Sequence, residues 1–306
     1  MKRILTMFIS LILLTGCLGL TACKEHQHEF DKRSIKSEYL LSQADCINAT
    51  TYYYSCACGE KGDETFTHGL KLDHSFGDDT ICDTCGNSYS SNLEFSLINE
   101  DTEYQVNGCP LKFDERLIIP AIYNEKPVTK IKSNAFTLSS FHIVDIPSSI
   151  EIIGENAFNE KKALTRVDFC QGSRLKVIEY RAFFDCYHLE SICFPNSLKT
   201  IEKYAFSNCI DLKSITFEEN SEIESIGDFA FSSLHALESI ELPGSIKMLS
   251  SNVFSTCSIL SEIKFNGTME QWLSFDMNHW VSYAPGMTTV PVKVIQCADG
   301  KIYLKK

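Results

Sequence analysis

The sequence has no cationic excess: 28 lysines and arginines stand against 40 aspartates and glutamates, a formal charge of -12 over 306 residues. That balance disfavours nucleic acids and anionic lipid surfaces as partners, because both draw much of their affinity from lysine and arginine. Catalytic signatures are missing as well. No nucleophile elbow, phosphate-cradling glycine loop, paired zinc-protease histidines or calcium loop occurs in the chain, so the reading that follows is of a protein that is not an enzyme. The N-terminal apolar run, residues 4–14, is too short to cross a bilayer. What remains is a 306-residue length with room for about two domains and an ordinary apolar fraction of 44%, too high for wholesale disorder.

The start of the chain has the anatomy of an export signal: Lys2 and Arg3, the apolar run, then small residues before a polar stretch. Two stretches, "LTGC" ending at Cys17 and "LTAC" ending at Cys23, resemble lipoprotein processing sites. Cys23 is favoured because Lys24, Glu25 and His26 turn polar at once, whereas Cys17 is followed by Leu18, Gly19 and Leu20; simple secretion with cleavage elsewhere is the alternative. Loss of residues 1–22 removes Lys2 and Arg3 and no acid, taking the charge from -12 to -14. A diacylated Cys23 buries acyl methylenes at about 0.8 kcal/mol each, so membrane contact is expected through lipid alone.

The middle of the chain repeats. Phe136, Phe158, Phe183, Phe206 and Phe231 each follow an alanine, and Phe254 follows Val253 in the same place; the spacings are 22, 25, 23, 25 and 23. Between these marks runs a common form, L-x-x-I-x-F/I/L-P-x-x-I-x-x-I-x-x-x-A-F-x-x-C, with two-residue insertions ahead of Leu175 and Ile223. Pairs such as Ile192 and Phe194, or Ile215 and Phe217, alternate with polar neighbours as half-buried strands do. Ala205, Phe206, Cys209 and Leu212 fall at steps of one, three and three, which predicts a helical turn with one buried side. A single copy cannot bury that side alone, so copies must stack, and six at about 4.8 Å make a coil about 30 Å long. The cysteine slot, Cys186, Cys209 and Cys257, also holds Lys161 and Leu234, so it reads as a packing position; Cys186 and Cys209, on adjacent coils, are within reach of a disulfide.

Six such copies resemble the BspA-like leucine-rich repeat proteins of bacterial surfaces. The resemblance runs from about Leu93 to the C-terminus, with a longer loop in the first copy and no turn proline after Phe169 or Phe217. It implies an α/β-type repeat solenoid of short strands and helical turns, displayed outside the cell, used for binding and carrying no shared catalytic residues. Expected boundaries are 1–22 for the signal, 23–92 for an anchor linker and Cys/His-rich segment, 93–265 for the solenoid and 266–306 for a C-terminal cap holding Trp272 and Trp280.

The segment before the repeats is dense in thiols and imidazoles. Cys56-x-Cys58-Gly59 is echoed by Cys82-x2-Cys85-Gly86, and His28-x-Phe30 by His74-x-Phe76. A closed shell of thiolates and imidazole suits Zn²⁺, so a structural zinc within residues 28–86 is one reading, with Cys56, Cys58, Cys82 and Cys85 as ligands and His28, Cys46 and His74 as alternates. Disulfides are the rival in an exported chain, and reduced structural thiols the third reading. Five cysteines are an odd count, so at least one would stay unpaired.

Binding is expected on the exposed side of the strands. The two outward columns read Arg166, Ser191, Ser214, Ser239, Glu262 and Asp168, Cys193, Thr216, Glu241, Lys264. Two functions stand: a lipid-anchored protein on the extracellular face of a bacterium whose solenoid binds a host, matrix or neighbouring-cell protein, and a metal-binding or substrate-capturing envelope lipoprotein that works through the Cys/His-rich segment.

Overall fold

The computed structural model describes residues 30–46, 48–55, 59–74, 82–85, 89–90, 92–109, 115–250, 252–275 and 291–304. Alternation builds its strands. In β11 (Arg166–Phe169), β13 (Ser191–Phe194), β15 (Ser214–Phe217), β17 (Ser239–Leu242) and β19 (Glu262–Phe265), the second residue is buried and the first and third look outward. These strands are numbered after β1 (Leu40–Ser42), β2 (Thr50–Ser55) and β3 (Lys61–His68), an antiparallel sheet of the N-terminal segment. The hairpin β4 (Glu94–Ile98) and β5 (Glu103–Gly108), then β6 (Arg116–Ile118), β7 (Ile122–Tyr123), β8 (Lys126–Ile131) and β9 (Ile143–Ile146), lead into the array. Each coil adds a second strand of two residues: β10 (Ile152–Ile153), β12 (Val177–Ile178), β14 (Thr200–Ile201), β16 (Ser225–Ile226) and β18 (Met248–Leu249).

Two sheets flank one core. The first runs β6-β9-β11-β13-β15 with parallel pairs, and the second runs β4-β5-β8-β10-β12-β14-β16-β18. The two-residue insertions leave a mark on the first sheet. Across the coil ahead of β13 only Arg166 and Ser191 pair, and β17 joins a separate sheet with β19 instead of pairing with β15. Extra backbone on one side pushes the next strand out of register. At the N-terminal end, Gly108 sits at φ +132°, where a Cβ would lie 1.7 Å from the carbonyl oxygen of Ala135; only glycine lets the hairpin meet the first coil.

The expected helical turns are absent; stacked β-turns take their place. Among the described residues the helices are a 3₁₀ turn at Ser37–Tyr39 and α1 (Met269–Ser274). In the Cys209 coil, Tyr204 and Asn208 lie at φ +59° and +66°, which breaks an α-helical run. The amide donors then alternate: Ala205, Ser207 and Cys209 bond back three residues, whereas Phe206 and Asn208 bond forward to Ala230 and Ser232 of the next coil. The turns are thus a third hydrogen-bonded side of a β-solenoid.

That stacking lines up the phenylalanines. Ring centroids are 5.1 Å apart for Phe136 and Phe158, 4.9 Å for Phe158 and Phe183, 4.9 Å for Phe183 and Phe206, 5.8 Å for Phe206 and Phe231 and 6.0 Å for Phe231 and Phe254. All six rings are buried. Cys186, Cys209 and Cys257 are free thiols that donate to the carbonyls of Phe158, Phe183 and Phe231 on the preceding coil, so Cys186 and Cys209 form no bridge. Lys161 fills the same slot and donates to the Thr137 and Ser139 carbonyls. Past the array, α1 is capped by the Thr268 side chain and seats Trp272 on Phe265, 5.3 Å between centroids. Parallel β20 (Val294–Cys297) on β19 and antiparallel β21 (Gly300–Tyr303) follow; Trp280 lies outside the described residues. No helix among the described residues is long and apolar enough to cross a membrane.

Candidate metal centre and interaction face

Of the described thiols and imidazoles in the N-terminal segment, four converge. The ligand atoms of Cys46, His74, Cys82 and Cys85 all lie within 4.8 Å of one another. Cys46 leads into β2, Cys82 and Cys85 bracket one turn, and His74 ends a strap that begins at Leu70. Of the expected quartet, Cys82 and Cys85 are joined here by the two alternates Cys46 and His74. Cys56, Cys58, His28 and the lipidation candidates Cys17 and Cys23 lie outside the described residues.

The strap is fastened to the solenoid along its length. Leu70 enters the core, the Gln171 N–H donates to the Lys71 carbonyl, and Lys71 Nζ reaches Asp168 at 2.6 Å. Asp73 accepts from the Ser148 N–H at 2.8 Å and from its hydroxyl. His74 Nε2 then donates to Asp145 Oδ2 at 3.0 Å, and Asp145 also takes two bonds from Arg116, at 2.7 and 2.8 Å. Because a carboxylate only accepts, this bond fixes the proton on Nε2 and leaves Nδ1 facing the thiols, 3.4 Å from Cys85 Sγ.

Charge in the cluster follows from these contacts. Burial works against the His74 cation, yet the bond to Asp145 and the nearby thiols outweigh it and raise His74 to about 9. Burial also opposes ionisation of Cys82, but N–H groups of Cys85 and Thr84 and the His74 ring point at its sulfur and lower it to about 6. Cys46 is pushed up to about 12 by burial and by its two sulfur neighbours. Asp145 is desolvated, and His74 and Arg116 nonetheless hold it below the usual carboxylate range.

The outward strand columns divide in two. Asp168 is taken up by Lys71, Arg116 and Arg166, and its side chain is 13% exposed. Arg166, Asp168 and Cys193 lie with Ser42, Asp45 and Thr67 around a cleft beneath the N-terminal sheet. Ser191 lines the same cleft, and from β15 onward the face is open: Thr216, Ser239, Glu241, Glu262 and Lys264 are exposed and Ser214 half-buried. A second feature escaped the sequence reading. On the turn side, Tyr204 stacks on Phe229 at 5.0 Å, and the Arg181 guanidinium lies over Tyr180, Phe184 and Tyr204. Its signal was a bulky residue directly before alanine in successive copies, Arg181, Tyr204 and Phe229.

Comparison with known proteins gives the architecture a family. No curated protein sequence matches the chain. Among solved structures, a leucine-rich repeat protein of T. pallidum, TpLRR, is 26% identical with a TM-score of 0.51, over 58% of this chain and 85% of that one. The pneumococcal vaccine antigen PcpA is 31% identical with a TM-score of 0.51, over 58% of this chain; the match spans 49% of PcpA. Residues 113–212 and 176–275, together more than half of the sequence, match the BspA type leucine rich repeat region in six copies. With the stacked coils and the phenylalanine spine, this establishes that the chain belongs to the BspA-type leucine-rich repeat family.

Proposed function

We propose that this is an exported, lipid-anchored surface protein, not an enzyme, whose solenoid binds another protein through the open strand face. The observation that carries the reading is the exposed stretch of β15, β17 and β19, where small and charged side chains stand on strands held in parallel pairs, β15 with β13 and β17 with β19. Leucine-rich repeat proteins generally bind proteins, and extended faces of this kind suit the task. A second reading, a metal-binding or substrate-capturing envelope lipoprotein, draws on the Cys46, His74, Cys82 and Cys85 cluster. Four protein donors in one place leave no position for a substrate, which favours a structural role. Binding to intact target cells separates the two. Deleting residues 94–306 abolishes binding on the first reading, and chelation leaves it intact; the reverse pattern supports the second.

A further inference from the structure

We propose that Cys46, His74 through Nδ1, Cys82 and Cys85 bind one Zn²⁺ ion, and that Asp145, a residue of the repeat array, sets the affinity of that site from outside the ligand shell. The geometry of the donors carries the proposal. A tetrahedral ion with Zn–S of about 2.3 Å and Zn–N of about 2.0 Å places two sulfurs about 3.8 Å apart and a sulfur and a nitrogen about 3.5 Å apart. Cys46 and Cys82 Sγ are 3.7 Å apart, and Cys85 Sγ and His74 Nδ1 are 3.4 Å apart. A disulfide requires about 2.05 Å and would use two of these thiols, leaving a third and the imidazole without a role. Three of the four ligand residues are buried, and the Cys82 sulfur already faces backbone N–H groups of its own turn. Thiolate-rich, closed and four-coordinate is the preference of zinc over magnesium, calcium or manganese.

Asp145 extends the site into the solenoid. The carboxylate–imidazole pair fixes Nδ1 as the ligating nitrogen of His74 and makes it a better donor, and Arg116 holds the carboxylate in place. The ion would therefore gather Cys46, between β1 and β2 of the N-terminal sheet, and the Cys82–Cys85 turn around a histidine already fastened to β9. In this arrangement the ion pins the N-terminal sheet over the cleft at Arg166, Asp168 and Cys193. The proposal is independent of whether the open face binds a protein.

The test measures zinc by elemental analysis in the full chain purified under reducing conditions, with Co²⁺ substitution as the spectroscopic readout. One zinc per chain is expected, with the thiolate charge-transfer and intense d–d bands of tetrahedral cobalt. Cys46→Ser and Cys82→Ser are expected to lose stoichiometric metal, while the double variant Cys56→Ser/Cys58→Ser retains it. Competition with a chromophoric chelator is expected to show Asp145→Asn binding zinc about 10- to 100-fold more weakly with the cobalt spectrum kept. Chelating the wild-type chain is expected to speed amide exchange in β1, β2 and β3 and leave β13 to β18 protected, which reports on the site without any substitution. Absence of metal and cobalt bands, a disulfide among Cys46, Cys82 and Cys85 in the intact mass, loss of zinc in the Cys56/Cys58 variant, or unchanged affinity in Asp145→Asn would each overturn the assignment concerned.

Discussion

Replacing Phe206 by alanine removes the middle of the aromatic spine. Phe206 is fully buried and packs its ring against Phe183 at 4.9 Å, Phe194 at 5.3 Å and Phe231 at 5.8 Å. Loss of a buried phenylalanine costs about 3–5 kcal/mol, and each aromatic pair adds about 0.5–1.5 kcal/mol beyond its area. With three ring partners and stacked backbone on both sides that cannot collapse inward, Phe206→Ala belongs at the upper end, about 4–5 kcal/mol. That is a large part of the total stability of a domain, about 5–15 kcal/mol. Urea unfolding followed by far-UV circular dichroism measures it through the midpoint, with the slope showing whether unfolding stays a single transition. Because coils contact only their neighbours, the weakened rung is expected to split the transition between the two halves of the array. Leu138→Ala is the control: Leu138 is 79% exposed, so its loss should stay within about 0.5 kcal/mol. A Phe206→Ala cost below about 2 kcal/mol, or one no larger than the control, would refute the spine as the seat of stability.

Arg116→Met leaves the buried Asp145 with His74 as its remaining hydrogen-bonded partner and is expected to cost about 3 kcal/mol in the same urea assay, since breaking a buried pair strands the other charge. Burial of Lys161 lowers its pKa from 10.5, so the folded chain gives up a proton that the unfolded chain keeps, and stability rises with pH between the lowered value and 10.5. Urea midpoints across that window should rise in the wild type and flatten in Lys161→Met. The thiols of Cys186, Cys209 and Cys257 are fully buried, with burial raising Cys257 to about 12 and Cys209 well above its usual value. Iodoacetamide at about pH 8 should leave all three unmodified in the native chain and label all three once it is unfolded without reductant, because only the exposed thiolate reacts.

The array was legible because its signal is long-range: six marks at spacings of 22 to 25 cannot arise from local propensity. The four-residue strands were legible for the same reason that they form, alternation around one buried side chain. The turns were not. Steps of one, three and three from Ala205 to Leu212 fit a helical turn and a pair of stacked β-turns equally well, and the positive φ of Tyr204 and Asn208 decides between them. Nothing in the side chain of a tyrosine announces that conformation. The second strands escaped because two residues such as Thr200 and Ile201 are too few to show a period. In the cluster, the Cys82 and Cys85 spacing was readable because both sit on one turn. Cys46 and His74 reach it only through the hairpin and the strap, and Asp145, 71 residues beyond His74, occupies an array column where nothing in one sequence singles it out.

The central claim is that the open strand face meets a protein partner. Site-specific photo-cross-linking in live cells tests it most directly, with the reactive side chain placed at Thr216 and Glu241 on that face, at Tyr204 on the aromatic ladder and at the exposed Lys176 beside the two-residue strands. Discrete adducts to the same protein from Thr216 and Glu241, and none from Lys176, are the predicted result. Adducts confined to Tyr204, or spread equally over all four positions, would contradict it.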